Sequence, residues 1–281
     1  MKWTPGGTSQ NVEDRRGQTG GGGGFGGGGM RLGLGGALVL LVLSLIFRQN
    51  LFQFFESPGG GAVSTGAPQA SSPQEDSLVQ FVSFVLDSVQ ASWARTLPAM
   101  GVPYQDAHLV LFRDYSESAC GSAERATGPF YCPGDQKVYI DLGFYQELRD
   151  QFGASGDFAQ AYVLAHEIGH HVQTLMGTEA RARRGPDQSV RLELQADCYA
   201  GIWAHVADQE HLLDAGDVEE GINAAAAVGD DRLQRMTTGY ANPETFTHGS
   251  SAERAAWFRR GYTTGRVDAC DTFSGPVDIG N

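Results

Sequence analysis

His166, Glu167 and His170 fall within the run Ala165 to His171, AHEIGHH. On an α-helix a step of four residues returns to nearly the same face, so His166 and His170 can aim both imidazoles at one metal ion. Glu167 follows the first histidine directly and can reach a water on that ion. This is the H-E-x-x-H spacing of zinc hydrolases, with two neutral imidazoles as ligands and a carboxylate as general base. Two histidines alone are half a metal site, so a third ligand is needed to separate zinc chemistry from a chance pair on a surface helix.

That ligand is offered by the stretch after Pro186, which reads SVRLELQADCYAGIWAHV from Ser189. Glu193 and Asp197 are four apart, on one helical face, among apolar neighbours that bury them. Glu193 supplies the third protein ligand for one Zn2+ ion, and Asp197, a turn further on, accepts the free N–H of a ligating histidine and fixes its tautomer. The competing reading is a surface pair bridged to Arg191 or to Arg181, Arg183 and Arg184 in the preceding loop. His171 points about 100° away from His170 around the helix and is read as a packing residue. Further on, His248 has two possible roles, donor to an oxyanion or anchor of its own loop. Arg254 is open to binding a substrate carbonyl or pairing with a nearby carboxylate.

The elements that carry these groups follow from periodicity. A helix from Asp157 to Gly177 bears the first motif and a second helix after Pro186 bears Glu193. A helix after Asp76 buries Leu78, Phe81, Val82, Val85, Val89 and Trp93 and ends at Pro98. His108 to Phe112 and Lys137 to Asp141 read as strands. The stretch running on through Gly143-Phe144-Tyr145 to about Phe152, Asp217 to Leu233 and a segment opened by the capping box Ser250 to Glu253 read as further helices. The fold class expected is α+β, a mainly helical zincin-like domain with a small sheet, preceded by one transmembrane helix.

The chain has 281 residues, of which 39 are glycine, concentrated near the N-terminus. Residues 1–29 are polar and then glycine-rich and read as a disordered tail. Residues 30–55 read as a membrane segment around the apolar run Leu32 to Phe47, residues 56–76 as a Gly/Ser/Ala/Pro linker, and residues 77–281 as the folded domain. A cleaved signal peptide is the rival for the apolar run. Lys2, Arg15, Arg16 and Arg31 before it predict a single pass through the inner membrane, the N-terminus cytoplasmic and the domain periplasmic. The net charge of -13 argues against nucleic acid as a partner. An extracytoplasmic domain favours two disulfides from Cys120, Cys132, Cys198 and Cys270. Proximity suggests Cys120 with Cys132 and Cys198 with Cys270, although sequence permits three connectivities.

H-E-x-x-H followed by E-x-x-x-D is similar to the glutamate-ligand zinc peptidases, the gluzincins. More closely, NVEDRR, GPFYCP, AHEIGHHVQ, ELQADCYAGIW, THGSSAERAAWF and CDTF together resemble the bacterial neutral zinc metallopeptidase family, whose members are membrane-anchored. THGSSAER is also similar to the T-H-P-x5-R segment of the CAAX-protease and heat-shock zinc peptidases, with Gly249 in place of proline. The resemblance implies zinc on His166, His170 and Glu193, Glu167 as base, and a polypeptide substrate in the envelope or near the membrane. Two other classes are carried beside it: a zinc-binding, chaperone-like envelope module that does not cut, and a hydrolase of non-peptide amides in the cell envelope.

Overall fold

The computed structural model describes residues 1–18, 71–124, 128–150, 156–178 and 188–274. Its longest helix, α1 (Pro73–Ala99), begins inside the expected linker because Ser72 and Glu75 form a reciprocal capping box and Pro73 starts the first turn. Val82, Val85, Leu86, Val89, Trp93 and Leu97 line its buried face. Each such side chain contributes about 1.5–3 kcal/mol by leaving water.

A four-stranded mixed sheet packs beside the helices in the order β1 (Val12–Asp14), β2 (His108–Phe112), β6 (Lys137–Asp141), β5 (Phe130–Cys132). β1 and β6 run parallel to β2, and β5 runs antiparallel to β6 as an edge strand. The connection from β2 carries a separate hairpin of β3 (Tyr115–Ser118) and β4 (Gly121–Glu124), tied back to β5 by the disulfide Cys120–Cys132. β6 leads directly into α2 (Leu142–Asp150).

The central helix α3 (Asp157–Leu175) packs against α1 and against α4 (Gln188–Gln209) and α5 (Asp217–Ala227). The helix expected over Asp217 to Leu233 is two. α5 stops at Ala227, and α6 (Asp230–Thr238) begins at the N-cap Gly229. The break accommodates the returning chain: a Cβ on Gly229 would meet the Ser251 nitrogen at 2.3 Å. A 3-10 turn at Pro243–Thr245, then α7 (Ser251–Thr264) and a 3-10 turn at Val267–Cys270, complete the described body. Cys270 is bonded to Cys198 of α4.

Two expectations need correction. Residues 1–18 are part of the folded body: β1 adds to β2, and Trp3 stacks edge-on against Phe81 with ring centroids 5.4 Å apart. The Met1 amino group lies 2.7 Å from Asp157 and 3.5 Å from Asp217. The second correction concerns localisation. Among the described residues no helix is long and apolar enough to cross a membrane, against the single-pass inner-membrane placement. The apolar run at residues 32–47, the linker up to residue 70 and the loop with Arg181, Arg183 and Arg184 lie outside the described residues. The two disulfides fit an oxidising compartment.

Candidate metal centre

α3 and α4 cross where Gly169 faces Ala196, close enough that a Cβ on Gly169 would stand 3.0 Å from the Ala196 carbonyl oxygen. This approach brings Glu193 over the two histidines. Glu193 Oε2 lies 3.2 Å from His166 Nε2 and Oε1 lies 3.4 Å from His170 Nε2. Ligand atoms of the three side chains lie within 4.8 Å of one another.

The remaining hydrogen bonds set the tautomers. His166 Nδ1 lies 2.9 Å from Asp197 Oδ1, and a carboxylate can only accept, so Nδ1 carries a proton and Nε2 is the nitrogen turned toward Glu193 and left for a metal. His170 Nδ1 lies 2.9 Å from the amide oxygen of Gln173, which leaves its Nε2 facing Glu193 as well. Two ligands at zinc bond lengths in a tetrahedron stand about 3.4 Å apart, and the observed nitrogen–oxygen separations are close to that edge. The donor set of two imidazoles and a carboxylate therefore fits zinc.

Asp197 is fully buried and both its oxygens accept hydrogen bonds. Tyr162 donates to Oδ1 at 2.5 Å, and Arg254 donates through Nη2 to Oδ1 at 3.0 Å and through Nε to Oδ2 at 2.8 Å. Of the two roles open to Arg254, the geometry has the ion pair. It is buried and its guanidinium also stands 3.8 Å from Glu193. Reciprocal glycines on α4 and α7 permit this reach: a Cβ on Gly201 would lie 2.1 Å from the Phe258 carbonyl oxygen, and one on Gly261 1.9 Å from that of Cys198.

Burial and charge pull against each other across the site. Burial alone would depress the His166 pKa, but Asp197 and then Glu193 outweigh it, and without metal the imidazole is pushed up to about 10. Burial favours protonation of Glu193, yet His170 and His166 hold it well below the ordinary carboxylate range. Glu167 differs. Burial raises it above that range despite the opposing charges of His166, His170 and Arg254. Metal binding has to displace the imidazole protons, so occupancy of the site is linked to pH.

The chain matches the sequence family described as "Putative neutral zinc metallopeptidase" over residues 1–273. The chain belongs to that family. It is 44% identical over 284 residues to the uncharacterized protein YpfJ of Escherichia coli strain K12, covering 97% of this chain and 99% of that one. It is 47% identical over 209 residues to the uncharacterized protein Rv2575 of Mycobacterium tuberculosis strain H37Rv, covering 69% of this chain and 70% of that one. No solved structure matches the chain. The family name implies zinc, and the group of His166, His170 and Glu193 is where this fold offers ligands for it.

His248 lines the same cleft as Glu167, His166, His170 and Glu193, a space of about 490 Å3. Its Nδ1 lies 3.1 Å from Asp230 Oδ1, and that hydrogen bond raises its pKa against the effect of burial. Asp230 also accepts the backbone N–H groups of Thr247 and His248, each at 2.6 Å, and of Gly249 at 3.2 Å. Asp230 thus sets the His248 loop. In sequence Asp230 is simply one residue of the stretch 217–233 that reads as a single helix. Gln173 stands at the end of the run AHEIGHHVQ and Tyr162 within the helix from Asp157, and neither residue type signals a part in the site. His171 is held away from the centre: Tyr131 of β5 is 3.0 Å from its Nδ1, and its Nε2 donates to the Gln105 carbonyl at 2.7 Å.

Proposed function

We propose that this chain is a zinc-dependent peptidase with His166, His170 and Glu193 as its metal ligands and Glu167 as general base. The observation that carries the reading is the tautomer arrangement. Asp197 and Gln173 accept from the Nδ1 atoms of the two histidines, so both Nε2 atoms are left to converge with Glu193 on one ion while Glu167 shares their cleft. Zinc, when bound, supplies a Lewis acid that polarises the scissile carbonyl and lowers the pKa of water toward about 7. Glu167 takes the proton of the attacking water and passes it to the departing amine. A base whose pKa is raised by burial is suited to both transfers. His248 donates to the oxygen on which negative charge develops, and Asp230 holds it in its charged form. Arg254 keeps Asp197 ionised, and through it the His166 tautomer.

The cleft suits a polypeptide. Phe130, Phe144, Val163, Val228 and Leu233 give it an apolar wall. β5 is a sheet edge within the cleft lining and can pair with an extended chain by main-chain hydrogen bonds. A structural zinc site has no use for a buried carboxylate beside the ligands, which weighs against a module that only holds its clients.

Purified protein is expected to carry one zinc per chain and to cleave peptides from a mixed library. Glu167→Gln is expected to keep the zinc and lose about 10²–10⁴-fold in kcat. Full activity in that variant, or a wild type without stoichiometric zinc, sinks the proposal. Cleavage of cell-wall amides in preference to peptides would redirect it to the other hydrolase class.

A further inference from the structure

The two histidines of the centre are oriented by different devices. His166 is fixed by a carboxylate that itself is held by Arg254. His170 is fixed by a neutral amide, and a neutral amide can be turned over. In Gln173 the amide nitrogen donates to the Leu192 carbonyl at 2.7 Å and to the side-chain oxygen of Gln195 at 3.1 Å. Both of its hydrogens are used, so the oxygen must be the atom facing His170. Turned over, Gln173 would set an oxygen against two oxygens and offer hydrogens to the protonated Nδ1. Gln195 is constrained in the same way, since its nitrogen donates to the Cys270 carbonyl at 2.9 Å. Turning Gln195 would oppose two carbonyl oxygens and present hydrogens to the Gln173 amino group.

The chain of partners thus ends on the backbone of Cys270. That carbonyl is held in place by the disulfide to Cys198, with Cα atoms 5.7 Å apart, and by the next residues, where Thr272 donates to the Arg191 carbonyl at 2.7 Å. Gln173 and Cys270 are fully buried and Gln195 is 6% exposed, so water offers little substitute for any of these bonds.

We infer that the C-terminal strap Val267–Thr272, locked by Cys198–Cys270, positions the ligand His170 through Gln195 and Gln173 and thereby sets the affinity of the centre for zinc. Gln173 and Gln195 are positioning residues in this scheme; neither touches the reacting atoms. The inference rests on the zinc reading of the site given above. It gives the disulfide, some distance from the cleft, a share in metal retention in addition to its share in stability.

The test is zinc affinity by competition with a chromogenic chelator, with circular dichroism of the metal-free proteins as a check on folding. Gln173→Leu is expected to bind zinc about 10–100-fold more weakly than wild type, and Gln195→Met about 10-fold. The double variant is expected to be no weaker than Gln173→Leu alone, because a relay cut at its inner member gains nothing from a second cut; separate packing defects would add. Cys198→Ala with Cys270→Ala is expected to match Gln195→Met. Affinity within about twofold of wild type in Gln195→Met, or additive losses in the double variant, overturns the inference. If Gln173→Leu does not fold, Gln195→Met decides alone by the same criterion. A wild type that binds no zinc fails the reading of the site instead, so the two failures are distinct.

Discussion

With Nδ1 of His248 held 3.1 Å from Asp230, its Nε2 is the nitrogen left for a substrate oxygen. The donor of interest is the imidazolium, so kcat/KM falls as pH rises through its pKa. Asp230 raises that pKa by hydrogen bond and charge. Asp230→Asn removes the charge, lowers the pKa, and is expected to move the alkaline limb of the kcat/KM profile to lower pH. His248→Ala is expected to lose about 10²–10³-fold in kcat with normal zinc content. An unmoved limb in the first variant, or an unchanged kcat in the second, removes His248 from the reaction. At this scale the sequence was legible where helical periodicity alone brings groups together. His166 and His170, and likewise Glu193 and Asp197, are one turn apart, and a four-residue step is enough to place each pair. Asp230 was not legible because its role exists only when residues 247–249 return to the start of α6. Gln173 was not, because a neutral amide carries no metal signature until its own donors are accounted for.

Elements position the site mainly by how closely they cross. α4 and α7 touch backbone to backbone at Gly201 and Gly261, and that crossing puts Arg254 of α7 on Asp197 of α4. Gly261→Ala would place a Cβ 1.9 Å from a main-chain oxygen, which no rotamer change relieves. The helices must separate, at a cost of about 1–3 kcal/mol. The expected outcome is a melting temperature lower by several degrees together with weaker zinc binding, whereas Ala at the exposed helix position Arg259 changes neither. A Gly261→Ala protein with wild-type melting and metal affinity would show that the crossing tolerates a gap and that Arg254 needs no such approach. β2 and β6 were readable at their observed limits because their β-branched and aromatic residues favour a buried strand. β1 was not: its three residues, Val12, Glu13 and Asp14, are mostly polar and become a strand only by pairing with β2. The split between α5 and α6 was hidden for a related reason, since Gly229 is required by a loop arriving from twenty residues further on.

At the scale of the whole molecule, residues 1–18 are tied to the body by the β1–β2 ladder, by apolar contacts such as Trp3 on Phe81, and by ion pairs. Two ion pairs cross to the body, Arg16 with Asp76 of α1 at 3.2 Å and Lys137 of β6 with Glu13; Arg16 also pairs with Asp14 inside the segment at 2.7 Å, and Arg113 with Glu75 inside the body at 2.7 Å. Residues so distant in sequence gave no sign of these pairs, and a glycine-rich stretch beside them pointed to disorder. Each crossing pair is partly exposed and contributes about 0.2–1 kcal/mol, an addition to the ladder and the apolar contacts. The Arg16 hydrogen bond holds the Asp14 pKa below its ordinary value, and that of Arg113 does the same for Glu75. For Glu13, burial works to raise the pKa, and Lys137 and Arg15 overcome it. A carboxylate with a lowered folded-state pKa stabilises the fold fully above its unfolded value and ceases to do so as pH falls through the folded one. The charge contribution to the attachment, carried across by Glu13 with Lys137, is therefore complete at neutral pH and fades as pH falls below the ordinary Glu value of 4.5 and on through the lowered folded-state value. α3 and α4 are held instead by buried apolar contacts and two disulfides tie the body at either side, so the N-terminal segment is expected to open first. Amide hydrogen exchange, corrected for intrinsic rates, should show residues 12–14 protected at pH 7 and losing protection only as pH falls below 3.8, while α3 remains protected. Loss of protection in β1 and α3 at the same pH would mean that apolar contacts such as Trp3 on Phe81, rather than the ion pairs, hold the segment in place.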